Sequence, residues 1–181
     1  GTVRPGSVLM FGPDKNNQFR PVTVKGVHVN RVPATEAYAG QYACFAIKAK
    51  DPKRDEIERK DIRKGMVLLD TDTKVTSAMK FEAEIQVLHH HTTIKAGYQG
   101  VLHCGIVRQA VKLIGSSREF LRTGDKASVT LEFLYAPEFL KEQSTILLRE
   151  GRTKILGKIS KVHPLTAPVG AATKLKEEKT K

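Results

Sequence analysis

Apolar and polar residues alternate along most of this chain with a period of two. Phe81, Ala83, Ile85 and Val87 interleave with Glu82, Glu84 and Gln86, and Ala127, Val129, Leu131 and Phe133 interleave with Ser128, Thr130 and Glu132. Such alternation sends one set of side chains to each face of a half-buried strand. Shorter runs predict strands at 8–11, 22–29, 41–48, 66–69, 101–110, 146–149 and 154–162. Turn signals punctuate them at Gly12-Pro13-Asp14, Arg63-Lys64-Gly65 and Arg122-Thr123-Gly124-Asp125. No segment keeps a helical period over several turns. Many short, evenly spaced strands predict an all-β chain of two antiparallel β-barrels.

The polar stretch 71–77 interrupts the pattern and sets the expected boundary, with a first barrel at 1–77 and a second at 78–165. The chain opens on Gly1-Thr2-Val3, already a strand, so the first barrel is expected to lack its first strand and to expose an edge. That makes the sequence read as a piece of something longer. Residues 50–64 carry nearly balanced charges and are expected to form a solvated loop. Residues 166–181 are small, polar and lysine-bearing, the composition of a disordered basic tail.

Charge narrows the partners. Lys and Arg number 31 against 19 Asp and Glu in 181 residues, a net charge of +12, which favours a polyanion such as nucleic acid. No apolar run reaches the roughly 18 residues of a membrane span, so no membrane partner is expected. Cys44 and Cys104 are far apart inside apolar runs, which suits buried thiols in a reducing compartment. His89, His90 and His91 are consecutive, and neighbours on a strand face opposite ways, so no metal site is expected from them. They are read instead as a loop after the 81–88 strand, with one histidine packed on a neighbouring domain. Neither they nor Ser116-Ser117 assemble a catalytic constellation. The segment Leu147-Leu148-Arg149-Glu150-Gly151-Arg152-Thr153 reads as strand, glycine turn, strand. It is expected to gather Arg149, Arg152, turn N–H groups and the Thr153 hydroxyl at one rigid edge able to hold a polyanion. A structural Arg149–Glu150 ion pair is the alternative.

Gly1-Thr2-Val3, Leu9-Met10-Phe11-Gly12-Pro13-Asp14, Glu36-Ala37-Tyr38-Ala39-Gly40-Gln41 and Ile62-Arg63-Lys64-Gly65-Met66-Val67-Leu68 resemble the second domain of translational GTPases. Phe81-Glu82-Ala83-Glu84, Leu121-Arg122-Thr123-Gly124-Asp125 and Arg149-Glu150-Gly151 resemble the third domain of elongation factor Tu. Leu88-His89-His90, Thr92-Thr93-Ile94, Tyr98-Gln99, His103-Cys104-Gly105, Arg108-Gln109 and the 149–154 segment resemble, more specifically, the GTP-binding protein 1 family. These are elongation-factor-like GTPases related to elongation factors Tu and 1 alpha, and the match runs in order through residues 1–163.

The resemblance implies a cytoplasmic parent protein that binds GTP and Mg, engages aminoacyl-tRNA, and acts in translation or mRNA surveillance. This chain departs from it in lacking the Gly-x-x-x-x-Gly-Lys-Ser/Thr phosphate loop, so neither a cofactor nor enzyme activity is expected of this portion. His91 stands where the family has proline, the 50–64 insertion is long, and one glycine replaces two at Gly151. By resemblance, Glu36 lies near the terminal adenosine of tRNA, Lys64 near the 5′ end, and Arg149, Gly151, Arg152 and Thr153 on the T-stem backbone. Arg108 and Gln109 have no assigned role. The implied partners are tRNA or other RNA, the GTPase domain of the same polypeptide, and a ribosome or RNA-decay complex. A competing reading makes the barrels a protein–protein module that regulates the GTPase domain or docks a decay complex.

Overall fold

The computed structural model describes residues 1–51, 57–73 and 76–165, so the expected tail at 166–181 lies outside the described residues. Thirteen strands follow in order: β1 (Thr2–Val3), β2 (Val8–Gly12), β3 (Arg20–Val29), β4 (Val32–Ala34), β5 (Ala37–Tyr38), β6 (Ala43–Ala49), β7 (Val67–Asp70), β8 (Ala78–His89), β9 (Gln99–Cys104), β10 (Val107–Ser116), β11 (Lys126–Phe133), β12 (Thr145–Glu150) and β13 (Thr153–Pro164). The chain is all-β, and every strand pairing is antiparallel. The described part of the charged 50–64 segment holds one short 3-10 turn, Arg59–Asp61, with a Lys60–Glu58 ion pair at 2.8 Å.

Two compact units emerge, Gly1–Gly12 with Phe19–Val75, and Pro13–Gln18 with the chain from Thr76 on. In the first, β4, β3, β2 and β7 pair in sequence, β6 flanks β3, and β1 pairs with β5 in a separate ribbon. Its core is small, centred on Val24, Val27 and Ala37. In the second, six strands close a barrel in the order β10-β11-β8-β13-β12-β9. Closure leaves no free strand edge, and alternate residues of every strand point inward. Phe81, Ala83, Ile85 and Val87 of β8 are all buried, as their alternation predicts, and the Phe81 and Phe133 rings meet at 5.3 Å. Each large apolar side chain so buried contributes about 1.5–3 kcal/mol.

One expected element divides in two. The run 101–110 was predicted as one strand, but it turns over at Gly105-Ile106, and Cys104 pairs with Val107 across a two-residue hairpin loop. The inward parity changes across this turn, from Leu102 and Cys104 to Val107 and Gln109, while Ile106, which an unbroken alternation would bury, is exposed. Ile106, exposed at the tip, has the hydropathy of a strand residue and hid the reversal.

Gln109, without a role on sequence grounds, is a clamp. Its side-chain N–H groups donate to the Ala136 carbonyl at 3.0 Å and to Glu138 Oε1 at 2.6 Å, while its carbonyl oxygen accepts from the Tyr135 and Ala136 backbone N–H groups at 2.9 and 2.8 Å. This buried amide therefore fixes the loop after β11 and neutralises its orphan backbone donors. Gln109→Leu keeps the volume and strands those partners, so it is expected to destabilise the barrel by about 2–4 kcal/mol. Urea unfolding measures the loss, and an unchanged midpoint would show the clamp to be dispensable.

Candidate nucleic-acid interface

The β12–β13 hairpin is closed by a two-residue loop, with Glu150 paired to Thr153. Gly151 at the first loop position has φ 53, the left-handed region that this position of a tight hairpin turn demands and glycine adopts without strain. The loop fixes the register, and the register decides which side chains face out. Ile146 and Leu148 are buried, so Arg149 points outward.

Arg149 sits opposite Val101 on one side and Lys154 on the other, and Lys154 in turn sits opposite His89. Directly paired residues bring their Cβ atoms to about 4.5–5.5 Å, where like charges oppose folding. Arg149 and Lys154 nevertheless face each other, and neither has an ion-pair partner among the described residues. The Arg149–Glu150 ion pair is not among the bridges formed. An open groove of about 540 Å³ runs beside Arg149, lined by Val101, His103, Arg108, Arg149, Glu150 and Gly151. Arg108 lies directly across from His103 and gains a place at the groove wall. Arg152 is exposed in the turn.

Thr153 departs from expectation. It is 1% exposed, because the parity that turns Arg149 and Lys154 outward turns Thr153 in. Its hydroxyl meets His90 Nδ1 at 2.8 Å instead of standing beside the arginines. His90 Nε2 meets the Thr92 hydroxyl at 3.1 Å, and the His90 main chain both donates to and accepts from the Thr123 hydroxyl. Its ring stands edge-on to Tyr98 at 5.5 Å. His90 thus ties together three turns of its own barrel. The Tyr98 phenol lies beside Thr153 without a hydrogen bond of good geometry, and burial pushes its pKa up.

In the first unit, the β1–β5 ribbon carries Arg4 alongside Glu36. Arg4 Nε donates to Glu36 Oε2 at 2.7 Å, and the Tyr38 hydroxyl donates to Glu36 Oε1. Tyr38 first and Arg4 second hold the Glu36 carboxyl below the usual carboxylate range. Lys64 occupies an exposed turn, where its carbonyl accepts from Arg63 Nη1 at 3.3 Å. The structure therefore joins Arg149 and Gly151 at one groove with Arg152 on the adjoining turn, puts Thr153 inside the barrel, and forms no hydrogen bond or ion pair between Glu36 and Lys64. Sequence reasoning missed Lys154, His90 and Arg4. Lys154 was recoverable: a two-residue turn at 151–152 pairs 149 with 154.

Among the described residues no cluster of three His, Cys, Asp or Glu is placed to hold a metal, and no helix is long and apolar enough to cross a membrane.

Residues 74–163 match the family model of the elongation factor Tu C-terminal domain. Elongation factor 1-alpha of Thermococcus gammatolerans is 29% identical over 150 residues, 72% of this chain and 33% of that protein. The crystal structure of Sup35 complexed with GDP superposes with a TM-score of 0.72 over 90% of this chain and 42% of its own, at 19% identity, which shows the fold. The class is thus that of elongation-factor-like translational GTPases, represented here by a closed β-barrel and the β-sheet unit that precedes it. GTP-binding protein 1 of Xenopus laevis is 42% identical over 162 residues, 90% of this chain and 24% of that protein. The chain belongs to the GTP-binding protein 1 family, and it spans about a quarter to a third of the length of the curated relatives it matches.

His90 supplies a pH test. Burial first, and then His91 and His89, lower its pKa from the ordinary 6.5, while Glu150 opposes them. The folded chain then binds fewer protons than the unfolded chain, so stability is full above about pH 6.5 and falls as pH drops through that value toward the folded pKa. The barrel's urea midpoint is expected to fall between about pH 7 and 5, and His90→Asn to flatten part of that fall. An unaltered slope in the variant would place the titration elsewhere.

Proposed function

We propose that this chain is the non-catalytic β-barrel portion of an elongation-factor-like GTPase, and that its second unit holds the backbone of an RNA helix, foremost the T-stem of an aminoacyl-tRNA. The observation that carries this reading is the outward row Arg149, Lys154 and His89, held on three adjacent strands, in which Arg149 and Lys154 form no ion pair among the described residues although Glu150 lines the same groove. Strands lie about 4.8 Å apart, so the row spans roughly 10 Å of rigid surface. Cations on so stiff a platform lose little entropy on meeting phosphates, and backbone contact with shape recognition is how proteins read A-form helices. Arg152 and the Gly151 turn extend the row, and Arg108 and His103 widen it along the groove.

The first unit is assigned the acceptor end. Lys64 offers an exposed point charge for a terminal phosphate. Glu36, already held by Arg4 and Tyr38, offers a fixed carboxylate edge near a terminal nucleoside. GTP and Mg belong to the parent's nucleotide-binding domain: the residues here do not fit them, since no phosphate-loop spacing occurs in the sequence. A cytoplasmic setting, and a ribosome or RNA-decay complex as further partner, go with this reading.

Filter binding of aminoacylated tRNA to the whole chain, between about 50 and 200 mM salt, tests it. Affinity is expected to fall linearly on a log–log plot. Arg149→Ala with Arg152→Ala is expected to weaken binding at least roughly tenfold and to lower the salt slope by about 1–2. Undiminished binding by the folded double variant would sink the assignment.

A further inference from the structure

A second groove, of about 530 Å³, lies elsewhere on the barrel wall, lined by Glu84, Ile85, Gln86, Lys126, Thr145, Leu156, Gly157 and Lys158. Its origin is local. Gly157 brings β13 so close to β8 that a Cβ there would stand 2.5 Å from the Glu84 carbonyl oxygen, nearer than real atoms approach. The wall is therefore drawn in along this line, and the outward side chains of four strands stand around the dip. Register places them: Leu156 lies between Leu147 and Gln86, and Gln86 lies between Leu156 and Lys126. Lys158 lies between Thr145 and Glu84.

Three properties describe the occupant. Leu156 is 43% exposed at the centre, with Leu147 as its cross-strand neighbour, giving an apolar seat. Lys126 and Lys158 flank that seat without ion-pair partners among the described residues, and Glu84, opposite Lys158, accepts from the Ser128 hydroxyl. Glu84 also stands in the groove, and the exposed Leu156 beside the two lysines favours an occupant that carries an apolar side chain, which a phosphate backbone lacks. We propose that this groove docks a short acidic peptide segment of a protein partner, with one apolar side chain over Leu156 and flanking carboxylates on Lys126 and Lys158. The seat supplies an anchor and the lysines supply orientation and encounter rate. The proposal is independent of the RNA reading, because it uses a different groove and different cations.

The test is a titration of the 15N-labelled whole chain with a synthetic peptide bearing one leucine between runs of Asp and Glu, up to about 1 mM. Amides of Gln86, Lys126, Leu156 and Lys158 are expected to shift in a saturable way. Leu156→Ser in the protein, or Leu→Ser in the peptide, is expected to weaken binding at least roughly fivefold, as is Lys126→Glu with Lys158→Glu. The three substituted residues of the protein are outward positions on the barrel wall, and the spectrum of each variant reports its fold directly. No shift at the highest peptide concentration overturns the proposal, as does binding indifferent to Leu156. A single-stranded RNA oligonucleotide is titrated in parallel. If it moves the groove amides as strongly as the peptide does, the groove belongs to a nucleic-acid surface and the peptide assignment fails.

Discussion

The closed register of the six-strand barrel is the constraint on which the rest depends. Because β13 pairs with both β12 and β8, and β9 with both β12 and β10, no strand can slip without breaking two ladders. A one-residue slip would exchange every inward for every outward side chain. It would send Thr153 and Ile155 to solvent and bury Lys154 beside Arg149. Burial of unpaired cations costs several kcal/mol each, so the apolar interior and the basic exterior select the same register. The short turn at Gly151 and the buried contacts of His90 with Thr153 then fix the rim where that register begins.

The same constraint explains which features could be read from the sequence. Period-two alternation at 81–87 and 127–133 needs no neighbour to be interpreted, and both runs are strands with the anticipated faces buried. Parity along one strand was legible; parity across a turn was not applied. Arg149 and Thr153 were grouped because they are close in sequence, yet a two-residue hairpin places them on opposite sides of the wall. Roles that depend on distant partners left no local mark. Gln109 meets the 135–138 loop, Arg4 meets Glu36, and His90 meets Thr153, each across more than twenty positions.

Some of the exposed positive charge is matched: Lys80 with Glu132, Arg118 with Asp125 and Lys60 with Glu58 form exposed bridges of small energetic value. Arg149 and Lys154 are unmatched among the described residues, although the strand register sets them and His89 side by side. Opposed like charges work against folding, and a turn glycine and buried anchors offset that opposition. Conflict between local electrostatics and stability is what a binding surface shows when its counter-charge arrives from outside.

Glu36 shows the opposite arrangement and sharpens the contrast. Both of its oxygens are occupied by donors from its own unit, so its charge is spent internally and its position is fixed. A carboxylate so held cannot move to meet a partner, and with Arg4 beside it, it presents nearly neutral electrostatics at range. Lys64, exposed and without a side-chain partner among the described residues, can move and is charged. If this unit meets RNA as proposed, long-range attraction falls to exposed lysines such as Lys64 and not to the Arg4–Glu36 pair. What remains for Glu36 is short-range shape and hydrogen-bond discrimination, exercised through lone pairs that Arg4 and Tyr38 leave open. The proposed reading thus gives attraction and discrimination to different side chains, which lets each be rigid or mobile as its task requires.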